Sequence, residues 1–159
     1  MAMSAKVWDA ERAGACIAAL QSEPGGLLPI LHALQEAFGY IDTAAVPMIA
    51  AALNLSRAEV HGVISFYHDF RREPPGTHVL KLCRAEACQS MGGDALGAAA
   101  RERLHLDWGE TSADGRVSLE PVFCLGLCAC APAAMLDGKV VGGLDETRLA
   151  ALLDQARRP

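Results

Sequence analysis

The 159-residue sequence predicts an α+β protein, an N-terminal helical bundle followed by an α/β domain. Three observations carry this reading. Helix caps and stops recur as far as about residue 66. Arg71-Arg72-Glu73-Pro74-Pro75-Gly76 then has the composition of a linker. Beyond it, strand-like runs and a two-residue turn signal take over. The expected boundaries are residues 1–75 for the helical domain and 76–159 for the second.

Each helix has its own justification. Val7, Ala10, Ile17 and Leu20 fall near helical spacing, so a first helix is expected over 7–20 until Pro24-Gly25-Gly26 breaks it. A second runs from Leu27 to Phe38, with Pro29 tolerable in its first turn and Gly39 supplying a left-handed stop. Asp42 or Thr43 can cap a third helix that ends near Leu53. Ser56-Arg57-Ala58-Glu59 is a capping box, which starts a fourth helix over 57–66.

The second half reads strand–helix–strand–strand–strand–helix. Thr77 to Leu82 is the first strand, and an alanine-rich helix follows Gly92-Gly93 over 94–104. A polar loop over 105–116 contains Asp114-Gly115, a turn pair. Residues 116–123 form the next strand. Asp137-Gly138, between 133–136 and 139–141, is a strong hairpin signal. Asp145 can cap a last helix over 146–156, with Arg157 and Arg158 suiting its C-terminal dipole.

Composition excludes several function classes. The net charge of −5 is spread evenly: five basic and eight acidic residues precede position 76, nine and eleven follow. Neither half has the basic stripe that nucleic-acid phosphates require. No apolar run reaches the ~18–20 residues of a membrane span. The first residues lack a secretory pattern, so a cytoplasmic location is expected. In that compartment six cysteines point to metal or redox chemistry more than to structural disulfides.

Four of those cysteines form two short pairs. Cys83 and Cys88 are spaced C-x4-C, Cys124 and Cys128 C-x3-C, with 35 residues between the pairs. Each pair follows a predicted strand. Two strands of one sheet that end side by side would gather four thiolates, the ligand set of an iron–sulfur cluster. Two ferric ions, two sulfides and four thiolates carry a formal charge of about −2, and about −3 after one-electron reduction. Backbone N–H groups must therefore face the sulfurs, and Gly92, Gly93 and Gly126 allow the close approach this needs.

Other readings stand beside this one. Structural zinc also takes four cysteines. A dithiol oxidoreductase usually shows C-x-x-C, which is absent. Cysteines are also commonly buried as small apolar residues, and Cys16, in mid-helix, fits that description. Cys130 is either inert, adjacent to the ligands, or a substitute for Cys128. His32, His61, His68, His78 and His105 are scattered, and none stands at ligand spacing from a cysteine. Arg84 and Glu86 lie within the first pair, either as solvated loop residues or as charges that tune the site or meet a partner. Residues 43–66 also read as a helix-turn-helix, so an iron–sulfur DNA-binding regulator is a rival from another class. Its candidate recognition helix, however, has a single arginine, Arg57. A zinc-stapled interaction module is a third class. No base–nucleophile pair or G-x-G-x-x-G is present, so the chain is not expected to catalyse a reaction alone.

The strings Cys83-Arg84-Ala85-Glu86-Ala87-Cys88-Gln89-Ser90-Met91-Gly92 and Cys124-Leu125-Gly126-Leu127-Cys128-Ala129-Cys130-Ala131-Pro132 resemble the thioredoxin-like [2Fe-2S] ferredoxin family. The family pattern C-x4-C … C-L-G-x-C-x-x-A-P is matched at every fixed position. Gly62-Val63-Ile64-Ser65-Phe66-Tyr67 resembles the family's G-V-x-[ST]-F-Y, and the likeness covers about 25–155. The resemblance implies a helical docking domain joined to a thioredoxin-like domain with a mixed sheet. It implies one [2Fe-2S] cluster on Cys83, Cys88, Cys124 and Cys128. It also implies a partner flavoprotein with FMN, an NAD site and a further iron–sulfur cluster. Such subunits serve complex I, NAD-linked hydrogenases and NAD-dependent formate dehydrogenases. The first cysteine loop resembles the gamma subunits of the last group, whose catalytic partner contains molybdenum. Complex I members more often carry C-x-G-T-A-C there.

Overall fold

The computed structural model describes residues 7–157, which fall into two compact units, residues 7–74 and 75–157. Arg158 and its expected contribution to the last helix lie outside the described residues.

The first unit contains α1 (Ala10–Leu20), α2 (Leu27–Phe38), α3 (Ala45–Leu53) and α4 (Arg57–Phe66). The Asp9 carboxylate accepts the Arg12 N–H and starts α1 three residues later than periodicity suggested. Gly39 ends α2 at φ 87°. Asp42 accepts the Ala44 N–H at 2.8 Å, so the cap precedes α3 by one tight turn. Asn54 closes α3 in the left-handed region at φ 52°. Both halves of the Ser56–Glu59 capping box form at the start of α4. The apolar faces meet around Ile17, Ile30, Leu31, Leu34, Phe38, Ile49, Val60 and Ile64, all buried. Burying each such side chain stabilises the fold by about 1.5–3 kcal/mol. The Gln35 amide ties down the segment after α4, donating to Asp69 O and accepting from the Arg71 N–H, each at 2.7 Å.

The second unit contains β1 (His78–Cys83), α5 (Glu86–Ser90), α6 (Gly93–Leu104), β2 (Val117–Val122), β3 (Ala134–Leu136), β4 (Lys139–Val141) and α7 (Glu146–Ala156). The sheet order is β2-β1-β3-β4. β1 runs parallel to β2 and antiparallel to β3, which makes the sheet mixed. Leu80, Leu82, Val117, Leu119, Ala134 and Leu136 form one core with Leu96 and Ala100 of α6 and Leu149 and Leu153 of α7. Asp137 and Gly138 both adopt positive φ, 50° and 83°, as a type I′ hairpin requires. The Asp137 carboxylate then bonds back to β1, to the Val79 N–H at 2.9 Å and His78 Nδ1 at 2.7 Å.

Three expectations need correction. The linker composition extends to Gly76, yet Pro75 and Gly76 are buried in the second unit. The Gly76 N–H donates to Ser118 Oγ at 2.7 Å, and a Cβ there would lie 2.9 Å from the Arg116–Val117 backbone. β1 begins and ends one residue later than expected, so Cys83 is its last residue. Within the first cysteine pair, the expected loop contains a short helix, α5.

Candidate metal centre

β1 and β2 pair in parallel from His78↔Val117 to Cys83↔Val122, so the chain leaves both strands at the same end of the sheet. That register brings the two cysteine loops together. The Arg84 N–H donates to Val122 O at 2.8 Å, and the Cys83 N–H donates to Ala133 O at 3.0 Å. The first loop is thus stitched to the end of β2 and to the segment before β3.

α5 positions the second cysteine. Ala85 O accepts the N–H groups of Cys88 and Gln89 at 2.9 and 3.0 Å, which turns the chain and buries Cys88. The first residue of α6 packs directly behind it. A Cβ on Gly93 would lie 2.6 Å from the Cys88 carbonyl oxygen, so only glycine permits this approach.

The other loop is built on unusual backbone. Cys124 has φ 109°, a conformation that favours glycine, but a glycine would bring no thiol. Gly126 follows at φ 76°, and its N–H donates to Cys124 Sγ at 3.3 Å. A 3₁₀ turn, Cys128–Cys130, then places Cys128 Sγ 3.7 Å from Cys124 Sγ. Cys124 and Cys128 are exposed, whereas Cys83 and Cys88 are buried.

The four sulfurs interact across the two loops. Burial pushes the Cys83 thiol up, but hydrogen bonds from the Ala85 N–H, the Cys88 thiol and the N–H groups of Cys124 and Leu125 together hold it below the usual thiol range. Cys88 is pushed up by burial and by its hydrogen bond to Cys83; the charges of Cys83 and Cys128 add to this, and the Ala133 N–H opposes it. Cys128 is raised by its hydrogen bond to Cys124 and by the charge of Cys124, with Cys83 contributing. Negative charge is therefore favoured on Cys83 over Cys88 when no metal compensates. A bound cation would remove that conflict.

The donor set fits a [2Fe-2S] cluster. It consists of sulfur alone, and backbone N–H groups of Ala85, Cys124, Leu125, Gly126 and Ala133 face it. Ala85, Val122, Leu125, Leu127 and Ala131 surround the buried pair with apolar surface. A two-plus-two arrangement suits two irons, each taking two protein ligands.

The remaining candidates lie elsewhere. Cys16 packs against the helical core of the first unit. Cys130 is exposed, and its Cβ lies so near Gly142 that an added Cβ there would come within 2.8 Å. His32 lies against Phe70, 5.1 Å between ring centroids, and His78 is paired with Asp137. Sequence reasoning missed α5, the Ala133 N–H and the positive φ of Cys124. Five residues are too few to show periodicity, and the other two features depend on contacts between distant segments. It also missed Trp108, whose ring carries the Arg84 guanidinium 5.1 Å from its centroid.

Residues 13–157 match the model of the thioredoxin-like [2Fe-2S] ferredoxin family. The HndA component of the NADP-reducing hydrogenase of Solidesulfovibrio fructosivorans is 35% identical over 128 residues, 80% of this chain and 75% of that protein. A component of the NADH-quinone oxidoreductase of Pseudomonas aeruginosa is 34% identical over 124 residues, 78% of this chain and 75% of its own length. Among solved structures, an NAD+-reducing [NiFe]-hydrogenase in the air-oxidized state superimposes with a TM-score of 0.71 at 28% identity. That match covers 83% of this chain but only 23% of the hydrogenase chain. The family match spans most of the chain, two relatives agree with it at more than 30% identity, and the chain belongs to the thioredoxin-like [2Fe-2S] ferredoxin family.

Proposed function

We propose that Cys83, Cys88, Cys124 and Cys128 hold one [2Fe-2S] cluster and that the chain is a small electron-transfer subunit of an NAD-linked oxidoreductase. The cluster would exchange single electrons with the FMN of a partner flavoprotein that also binds NAD and a further iron–sulfur cluster. The observation that carries this reading is the interlock of the two loops, in which Cys83 receives N–H groups from Cys124 and Leu125. That contact lowers the cost of negative charge on sulfur, which a reduced cluster increases. Purified under anaerobic conditions, the chain should contain about two irons and two acid-labile sulfides. It should also give an axial or rhombic paramagnetic signal only when reduced. Stoichiometric zinc without sulfide would overturn the assignment.

Within that class, the Cys83–Gly92 loop supports a gamma subunit of an NAD-dependent formate dehydrogenase, working beside a molybdenum-containing catalytic subunit. The alternatives are the equivalent subunits of complex I or of an NAD-linked hydrogenase, the kinds of complex named for its relatives. Affinity purification from the native host separates them. A molybdenum protein among the partners supports formate dehydrogenase, and a nickel protein or membrane subunits favour the alternatives. No described helix is long and apolar enough to cross a membrane, and the cytoplasm remains the proposed location. In this reading the helical unit is the docking element. Phe66, at the end of α4, is 74% exposed, and Tyr67 is exposed beside it. The rival DNA-binding role gains nothing from α4, where Arg57 is the only arginine or lysine.

A further inference from the structure

We infer that Arg84 is a positioning residue that sets the reduction potential of the cluster, through a guanidinium locked beside the Cys83–Cys88 loop. The inference rests on the cysteine assignment made above and extends it.

Arg84 is anchored at both ends. Its backbone N–H is bonded to Val122 O at 2.8 Å, and its carbonyl accepts Gln89 Nε2 at 2.9 Å. Its guanidinium lies over the Trp108 ring, 5.1 Å from the centroid, with Asp94 Oδ1 3.8 Å from Nη2. Trp108 is itself held against α6, where a Cβ on Gly97 would come within 3.1 Å of the ring. Asp94 is the second residue of α6, the helix whose first residue abuts Cys88. The side chain is only partly exposed, so its long stem cannot sweep freely through solvent. The backbone bonds fix Arg84 next to Cys83, and Trp108 and Asp94 hold its guanidinium against α6, the helix that abuts Cys88.

The consequence is electrostatic. One-electron reduction adds a negative charge to a group that is already anionic. A fixed cation nearby stabilises the reduced state more than the oxidised state. Its charge does not depend on pH, because arginine stays protonated. The face of Trp108 offers a cation–π site for that charge. Asp94 acts in the opposite direction but is 60% exposed, so water screens it more than Arg84.

The test is a dye-mediated redox titration of the reconstituted full-length chain, followed by paramagnetic resonance of the reduced cluster. Arg84→Gln should lower the equilibrium constant for reduction about tenfold, a fall of about 59 mV for a one-electron couple. Arg84→Lys should restore most of it, because it keeps the charge. Asp94→Asn should move the potential upward. If Arg84→Gln fails to retain a cluster, Trp108→Leu, which removes the ring that holds the guanidinium, decides instead: a lower potential carries the inference, and an unchanged or higher one overturns it. An unmoved potential in Arg84→Gln, or an equal fall in Arg84→Lys, also overturns it. A wild-type chain with no reduced-state signal would instead defeat the cysteine assignment, so the two failures are distinguishable.

Discussion

Gly93 offers the sharpest check on how the site is assembled. An alanine there would place its Cβ 2.6 Å from the Cys88 carbonyl oxygen, 2.9 Å from the carbonyl carbon and 3.4 Å from the Cys88 Cβ. Ordinary contact begins near 3.4 Å, so the shortfall to the oxygen is about 0.8 Å. Cys88 and α6 must separate by a large part of that distance, and the obstacle is backbone, which cannot rotate away. Metal–ligand distances tolerate only about 0.2 Å. Replacing a helical glycine would by itself stabilise the fold by about 0.4–1 kcal/mol. Forcing backbone apart in a packed site costs about 1–3 kcal/mol. Gly93→Ala should therefore lose most of its iron and sulfide and unfold at lower urea concentration. Gly62, in mid-α4 with nothing within 4 Å of an added Cβ, is the control. Gly62→Ala should load normally and gain about 0.4–1 kcal/mol. The reasoning fails if Gly93→Ala loads as completely as the wild type and is just as stable.

Three further outcomes follow from other parts of the structure. Ser118 is buried and its Oγ accepts the Gly76 N–H, with Thr111 Oγ1 2.6 Å away, so Ser118→Ala should cost about 1–3 kcal/mol in chemical unfolding by stranding that donor. Hydrogen bonds from the Ser56 backbone and side chain hold the Glu59 carboxyl below its ordinary value. Its stabilising effect is therefore present above the ordinary glutamate range and lost as pH falls through the lower folded value. Glu59→Gln should lower the thermal midpoint at pH 7 and converge with the wild type in strong acid. Cys124 Sγ and Cys128 Sγ are exposed and 3.7 Å apart. After chelation of iron and exposure to oxidised glutathione, each chain should lose two hydrogens while two reduced glutathione molecules are released. Peptide mapping should then find a Cys124–Cys128 crosslink, and a crosslink through Cys83 or Cys88 instead would contradict their burial.

Much of the fold was legible because its signals are local. The Ser56–Glu59 box, Gly39, Asp145 and Asp137-Gly138 each act within a few residues, and each does in the structure what its chemistry allows. Apart from α5, the element order of the second unit was legible for the same reason. Boundaries were less so: α1 begins at Ala10 because the Asp9 cap overrides apolar spacing that extends to Val7. The composition of Pro75-Gly76 suggests a linker, but Gly76 is buried against Arg116 and Val117 from a strand 40 residues later. Similarly, α5 arises between a strand end and the first turn of α6, and it is too short for periodicity to reveal.

The amino-acid order alone singled out the candidate ligands: four thiols in two short pairs, with glycines beside them. It also carried the family pattern, since ligand chemistry is a property of individual side chains. Only the tertiary structure decided that the pairs share one end of the sheet, because parallel pairing of β1 with β2 is a non-local choice. It also decided that N–H groups of Cys124 and Leu125 face the sulfur of Cys83, that Ala133 faces Cys88, and that Arg84 rests on Trp108. A sulfur's charge is governed by the dipoles around it, and here segments some forty residues apart supply those dipoles.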